Sequence, residues 1–240
     1  MRNLTDAHAH LGSPEELAAR RAGGIRTLLC ATQPADAQAL FALAEDGVLL
    51  RSAALHPWHA GTISVADMMP YMEKCAVVGE IGLDSVWCDV PIEAQRAAFT
   101  AQLSYAQKAG KPVVLHTKGC EEEIARTLSK YTMRKLIHWY SCAQGLGDYI
   151  DQGCYFSVGP DIAINPAVRQ VAERVPLDRM LVETDGMGAV EWALGKKVAP
   201  EEVADVLERS IRAIAQLRSI APEALAQRIS DNLDRFIGIA

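Results

Sequence analysis

Asp6-Ala7-His8-Ala9-His10-Leu11-Gly12 closes the first apolar strand candidate, Asn3–Ala7. An open doubly wound sheet would more often place a glycine-rich phosphate turn at this point. No such turn is present, and two imidazoles stand there instead. Downstream, short runs rich in Val, Ile and Leu alternate with longer segments of helical period. The further strand candidates are Arg26–Ala31, Leu49–Leu55, Ala76–Ile81, Lys111–Leu115, Lys135–His138, Cys154–Val158 and Met180–Glu183. Several are apolar almost throughout, as strands buried on both faces are. Helix starts punctuate the intervals. Ser13-Pro14-Glu15-Glu16 reads as an N-cap, a first-turn proline and two acids at the positive end of a helix dipole. Pro34 opens Ala35–Asp46 before Gly47, and Pro91 opens Ile92–Ala109 before Gly110, with Ala94, Ala97, Ala98, Ala101 and Leu103 as its inward stripe. Pro166, Pro200 and Pro222 open later helices. Eight strand–helix units and a terminal helix predict an α/β fold, a (β/α)₈ TIM barrel, occupying residues 1–240 as one domain.

Composition narrows the function classes. No apolar run approaches the ~18 residues of a membrane span, and Asp6 and His8 interrupt the N-terminus before a signal sequence could build. A cytoplasmic protein without an obligate protein partner is the expectation. The formal charge of −6 and the lack of a basic run argue against a long phosphate-binding track. Six cysteines, none in a CxxC pair, read as buried thiols.

The chemistry-bearing residues fall at strand ends. His8 and His10 end the first strand candidate, Glu80 lies near the end of the fourth, His116 follows the fifth, His138 ends the sixth and Asp185 follows the eighth. Parallel barrel strands open their C-terminal ends onto one face, where active sites are built. Residues i and i+2 of a strand point the same way, so His8 and His10 face the axis together. Imidazoles with carboxylates suit a divalent cation. Two cations need a carboxylate between them, and Glu80 is the natural bridge. Such a pair polarises a phosphoryl or carbonyl oxygen and activates water near neutral pH. Asp185 would orient the nucleophile and carry its proton to the leaving group. His56, at the third strand end, is a candidate substrate contact or a turn residue, and Lys118 a candidate phosphate partner or a solvated lysine. Asp84 either orients a ligand histidine or caps the following loop. Trp58, Trp87, Trp139 and Trp192 either stack on a planar ligand or pack over the barrel rim.

These motifs resemble the TatD family of metal-dependent hydrolases, within the amidohydrolase-like barrels, over most of the chain. The resemblance rests on Asp6–Leu11, Leu55-His56-Pro57, Gly79-Glu80-Ile81-Gly82-Leu83-Asp84, Pro112–Thr117, Ile137-His138 and Leu181-Val182-Glu183-Thr184-Asp185. It implies one metal among His8, His10, Glu80 and Asp185 and a second among Glu80, His116 and His138. It further implies 3′-exonuclease or phosphodiesterase activity supported by magnesium, manganese or zinc, on single-stranded DNA or a small-molecule phosphodiester. Asn232 and Phe236 resemble the family's C-terminal helix signature, where packing is expected. An amidohydrolase or lactonase using the same ligands on a small carbonyl substrate is the alternative; Glu80, standing where such enzymes often carry a carboxylated lysine, favours the first reading. Around the ligands the chain departs from the family. Trp139-Tyr140-Ser141-Cys142 replaces Cys-Phe-Ser-Gly, Ser85-Val86-Trp87 stands where tyrosines are usual, and Glu191–Pro200 lacks the Asn-Glu-Pro segment. The ligand set is complete; the substrate-facing loops are this chain's own.

Overall fold

The computed structural model describes residues 1–239. Eight parallel strands form one sheet in chain order: β1 Thr5–Ala9, β2 Arg26–Ala31, β3 Leu49–Ala53, β4 Val77–Asp84, β5 Val113–Lys118, β6 Lys135–Ile137, β7 Tyr155–Val158 and β8 Met180–Val182. Around them run α1 Pro14–Ala22, α2 Pro34–Ala42, α3 Val65–Met72, α4 Ile92–Ala109, α5 Glu121–Leu128, α6 Leu146–Asp151, α7 Pro166–Arg174, α8 Met187–Leu194, α9 Val203–Arg218 and α10 Pro222–Ile237. This is the expected barrel, with three local differences. The second helix stops at Ala42 and an irregular segment leads to β3. Pro200 opens a 3₁₀ turn, Pro200–Glu202, which continues into α9. The buried face of α4 carries Gln95, Ala98, Phe99, Gln102, Leu103 and Ala106, whereas Ala97 and Ala101 face solvent.

The two glutamines explain that last difference. Where strands splay apart at the barrel mouth, backbone groups lose their ladder partners and must find others. Gln102 accepts from the Leu55 N–H at 2.7 Å and donates to the Leu55 carbonyl at 3.0 Å. Gln95 does the same for Asp84, at 2.8 and 2.9 Å. An alanine stripe could not reach, so polar side chains are buried where apolar ones were expected. Asn232 serves the opposite end, donating to the carbonyls of Leu177 and Met180 at 2.8 and 2.7 Å, and Phe236 is buried against Tyr155. Both therefore pack, as expected.

Strand pairing is irregular at two places, between Asp6 and Ala9 on β1 and between Val78 and Ile81 on β4. Such irregularities re-aim side chains next to functional sites, and His8 and Glu80 lie inside these two intervals. Close strand approach adds a constraint around Glu80. A β-carbon at Gly79 would meet Val114 Cβ at 2.6 Å, and one at Gly82 would meet the His116 carbonyl oxygen at 1.9 Å.

Seven parallel pairings join β1 through to β8. The β8–β1 seam is bridged differently. The Asp185 N–H donates to the His8 carbonyl at 3.0 Å. Asp6 accepts from the Thr184 N–H at 3.0 Å and from its hydroxyl at 2.6 Å. Behind them the fully buried Arg20 of α1 reaches Asp6 at 2.7 Å, Thr27 at 3.0 Å, Glu16 at 2.9 Å and Thr184 at 3.0 Å. Removing one partner of such a buried network costs about 3–5 kcal/mol.

Candidate active site

The strand ends bring all six predicted ligands to one cavity mouth. Glu80 lies at its centre, and its two oxygens face different partners. Oε2 is 3.5 Å from Nε2 of both His8 and His10. Oε1 is 2.7 Å from His138 Nε2 and 2.9 Å from His116 Nδ1. Asp185 completes the first group, with Oδ1 3.2 Å from His8 Nε2 and 3.3 Å from His10 Nε2. Its backbone is left-handed (φ 60°), which turns the carboxylate back over β1.

Second partners orient these rings. His10 Nδ1 lies 3.1 Å from the Cys30 carbonyl oxygen. A carbonyl can only accept, so Nδ1 carries a proton and Nε2 is the nitrogen turned toward the site. His8 Nδ1 meets the Cys30 thiol at 3.2 Å. His138 Nδ1 is 3.5 Å from Glu183 Oε1, while Glu183 Oε2 accepts from the Ser157 hydroxyl at 2.5 Å. Asp84 takes both of the parts open to it. Its Oδ2 is 3.0 Å from His116 Nε2 and accepts from the Trp58 indole at 2.7 Å, and its Oδ1 accepts from the backbones of Val86 and Trp87, each at 2.8 Å.

The electrostatics follow from this crowding. Burial opposes ionisation of Glu80, but the facing imidazoles, His138 foremost, hold its carboxyl well below the usual carboxylate range. Asp185 is lowered likewise, burial being outweighed by His10 and His8. Burial opposes protonation of His10, yet Asp185 and Glu80 push it up to about 9. His138 rises as well, since Glu80 and Glu183 overcome its burial.

His56 behaves differently. Burial pushes it down to about 4, with Glu80 opposing, so its ring is neutral near neutral pH. Its Nδ1 accepts the Trp58 backbone N–H at 3.2 Å. The proton is therefore on Nε2, 3.5 Å from Glu80 Oε1. Although His56, Glu80 and His116 lie together, His56 offers the site a hydrogen-bond donor, not a lone pair.

Above the cluster opens a cavity of about 770 Å³. Lys118, the last residue of β5, lies on its wall with the ammonium 3.9 Å from the centre of the Trp87 ring. All four tryptophans line it. Trp58 and Trp139 are anchored through their indole N–H groups to Asp84 and Asp161, at 2.7 and 2.8 Å.

Sequence reasoning had passed over Glu183, Cys30, Asp161 and the two α4 glutamines. Glu183 stands inside a motif already quoted, two residues before Asp185, so its position was a usable signal. The others act through partners far away in the chain, which no local spacing records.

The model of the family described as TatD related DNase matches residues 5–238. The chain belongs to the TatD family. Among its relatives is an uncharacterised metal-dependent hydrolase of Bacillus subtilis, YabD, 24% identical over 257 residues, covering 98% of this chain and 99% of that protein. A 3′-5′ ssDNA/RNA exonuclease TatD of Dickeya dadantii is 25% identical over 252 residues, covering 98% and 95%. The crystal structure of YjjV, a TatD homologue from Escherichia coli, superimposes with a TM-score of 0.84 at 24% identity, over 99% of both chains, and so supports the barrel fold. With this membership the chain is a metal-dependent hydrolase. No helix among the described residues is long and apolar enough to cross a membrane.

Proposed function

We propose that the chain is a phosphodiesterase in which His8, His10, Glu80, His116, His138 and Asp185 hold two divalent cations, of the zinc, manganese or magnesium class, with Glu80 between them. The observation that carries this reading is the division of Glu80, one oxygen toward His8 and His10 and the other toward His116 and His138. The donor set fits cations, because buried atoms at its centre have no hydrogen-bond partner: His8 Nε2, Glu80 Oε2 and Asp185 Oδ1. Buried polar atoms in native proteins are otherwise satisfied. Bound there, divalent cations would supply Lewis-acid polarisation and water activation near neutral pH.

The chain's own groups do the rest. Asp185, kept ionised, accepts the proton of the attacking water and returns it to the leaving oxygen. His56 donates its Nε2–H to a substrate oxygen, and Lys118 adds a fixed positive charge at the wall. Glu183 and Asp84 hold His138 and His116 in place. The relative from Dickeya dadantii, named as a 3′-5′ exonuclease, supports phosphodiester bonds as the class cleaved.

Metal analysis of the purified protein, followed by hydrolysis assays with bis-(p-nitrophenyl) phosphate, labelled single-stranded DNA, and lactone and amide panels under added manganese or zinc, tests this. The expected result is phosphodiester cleavage that both a chelator and Glu80→Ala abolish. Turnover confined to the carbonyl panels would overturn it in favour of an amidohydrolase or lactonase, and full metal content with activity in Glu80→Ala would end the bridging assignment.

A further inference from the structure

The distribution of exposed apolar side chains is uneven. Among the described residues the large exposed ones are Trp58, Val86, Trp87, Ile164, Trp192 and Ile239. All but Ile239 stand on segments that follow strand C-terminal ends, around the catalytic mouth. Clustered exposed apolar surface of this kind marks a binding site, because it costs solubility without adding to the core.

Three of the indoles form an angled wall. Trp192, 69% exposed, stands at 80° to Trp87 with ring centres 5.8 Å apart, and at 73° to Trp139 with centres 6.5 Å apart. Two of the three are held by charged neighbours. The Trp87 ring carries the Lys118 ammonium at 3.9 Å, and Trp139 is fixed by Asp161. The backbone accommodates this placement: a β-carbon at Gly159 would lie 2.4 Å from the Trp139 ring. A rim that merely shed water would not need indoles set this way, with the most exposed one between the other two.

Among the described residues, Lys118 is also the single lysine or arginine lining the cavity. A strand-binding groove combines stacking faces with a basic track along the backbone. Within this cavity the stacking faces are present and the track is not; Lys196 and Lys197 line a separate, more open pocket that shares Trp192, and Lys197 is paired with Glu191 at 2.9 Å. The cavity volume suits one drug-sized molecule.

We infer that the Trp87–Trp192–Trp139 wall is a subsite for the base of a small nucleoside phosphodiester, and that long single strands are not the preferred substrate. The inference rests on the phosphodiesterase reading above and assigns it a substrate class. In binding, the planar group lies on Trp192 while the phosphate meets Lys118 and the histidine–carboxylate cluster.

The test compares two esters with the same leaving group, thymidine 5′-(p-nitrophenyl) phosphate and methyl p-nitrophenyl phosphate, in wild type, Trp192→Ala and Trp192→Phe. The ratio of kcat/KM for the thymidine over the methyl ester should fall by about tenfold in Trp192→Ala, the scale of one lost base–aromatic stack. It should recover in Trp192→Phe. An unchanged ratio in Trp192→Ala overturns the subsite. A kcat/KM that climbs steadily from a dinucleotide to longer single strands overturns the preference for small esters. If neither ester turns over, the phosphodiesterase reading fails and the wall is judged separately by tryptophan fluorescence. Saturable quenching by thymidine 5′-monophosphate, absent with ribose 5-phosphate and lost in Trp192→Ala, supports the subsite; equal responses to both refute it.

Discussion

Asp6 and His8 are two residues apart on β1, and Thr184 adjoins Asp185, yet these neighbours belong to two opposite kinds of buried polar structure. On the seam side, both oxygens of Asp6 are engaged, by Arg20, the Thr184 N–H and the Thr184 hydroxyl. On the mouth side, His8 Nε2, Glu80 Oε2 and Asp185 Oδ1 are buried without a partner. On the seam the carboxylate is fully engaged and only Arg20 Nε lacks a partner, whereas at the mouth unpartnered nitrogen and oxygen atoms from three side chains face one another, the arrangement a bound ligand would satisfy. The difference separates residues that tie the seam from residues turned toward the mouth within single motifs, which their residue types alone do not.

The comparison can be broken at four points. The largest effect is expected from Asp185→Asn, which should lower kcat by about 10²–10⁴-fold while much of the bound metal is retained; steady-state kinetics beside metal analysis measure it, and an unchanged kcat removes Asp185 from the chemistry. Next, Arg20→Met strands Asp6 and Glu16 and should cost about 3–5 kcal/mol in urea unfolding of the metal-free protein. Its metal content per folded molecule should stay at the wild-type level, and a cost under about 1 kcal/mol would erase the distinction between seam and mouth. Glu183→Gln touches the ring behind the cluster and should weaken metal affinity about 10–100-fold, read by competition with a chelating dye. Equal affinity would show that Ser157, not His138, is the partner that matters.

The smallest effect belongs to an exposed pair. Asp46 is lowered to about 2 by its hydrogen bond with Arg21, helped by the backbones of Leu49 and Val48. Because the folded value is depressed, its contribution is fully present above the ordinary carboxylate range and is lost as pH falls through about 2. Asp46→Asn should cost less than about 1 kcal/mol near neutral pH, since solvent screens such pairs. A larger loss in urea unfolding would mean that exposed and buried charges differ less here than the seam suggests.

Most of the architecture was legible from local patterning. All eight strand candidates correspond to strands, and Pro14, Pro34, Pro166 and Pro222 each begin a helix, because apolar runs and first-turn prolines act over a few residues. The inward face of α4 was not legible. Gln95 and Gln102 are buried for the sake of backbone groups at Asp84 and Leu55, 11 and 47 residues away. That the four tryptophans, carried on segments far apart in the chain, line one cavity was not legible either. His56 was likewise undecided, and a backbone N–H from Trp58, which sets its tautomer, decides that it presents a donor.

By itself the sequence determined that this is a barrel of alternating strands and helices, with a histidine and carboxylate set at the strand ends. Periodicity and spacing are one-dimensional, and parallel strands convert them directly into a common face. Only the tertiary structure decided which buried polar atoms have partners and which do not, how Glu80 divides between two groups of histidines, and that Trp192 of α8 stands steeply angled to Trp87 and Trp139, with Lys118 over the Trp87 ring. Those properties depend on contacts between segments remote in the chain, whose geometry is set by packing and by the search of each buried polar group for a partner.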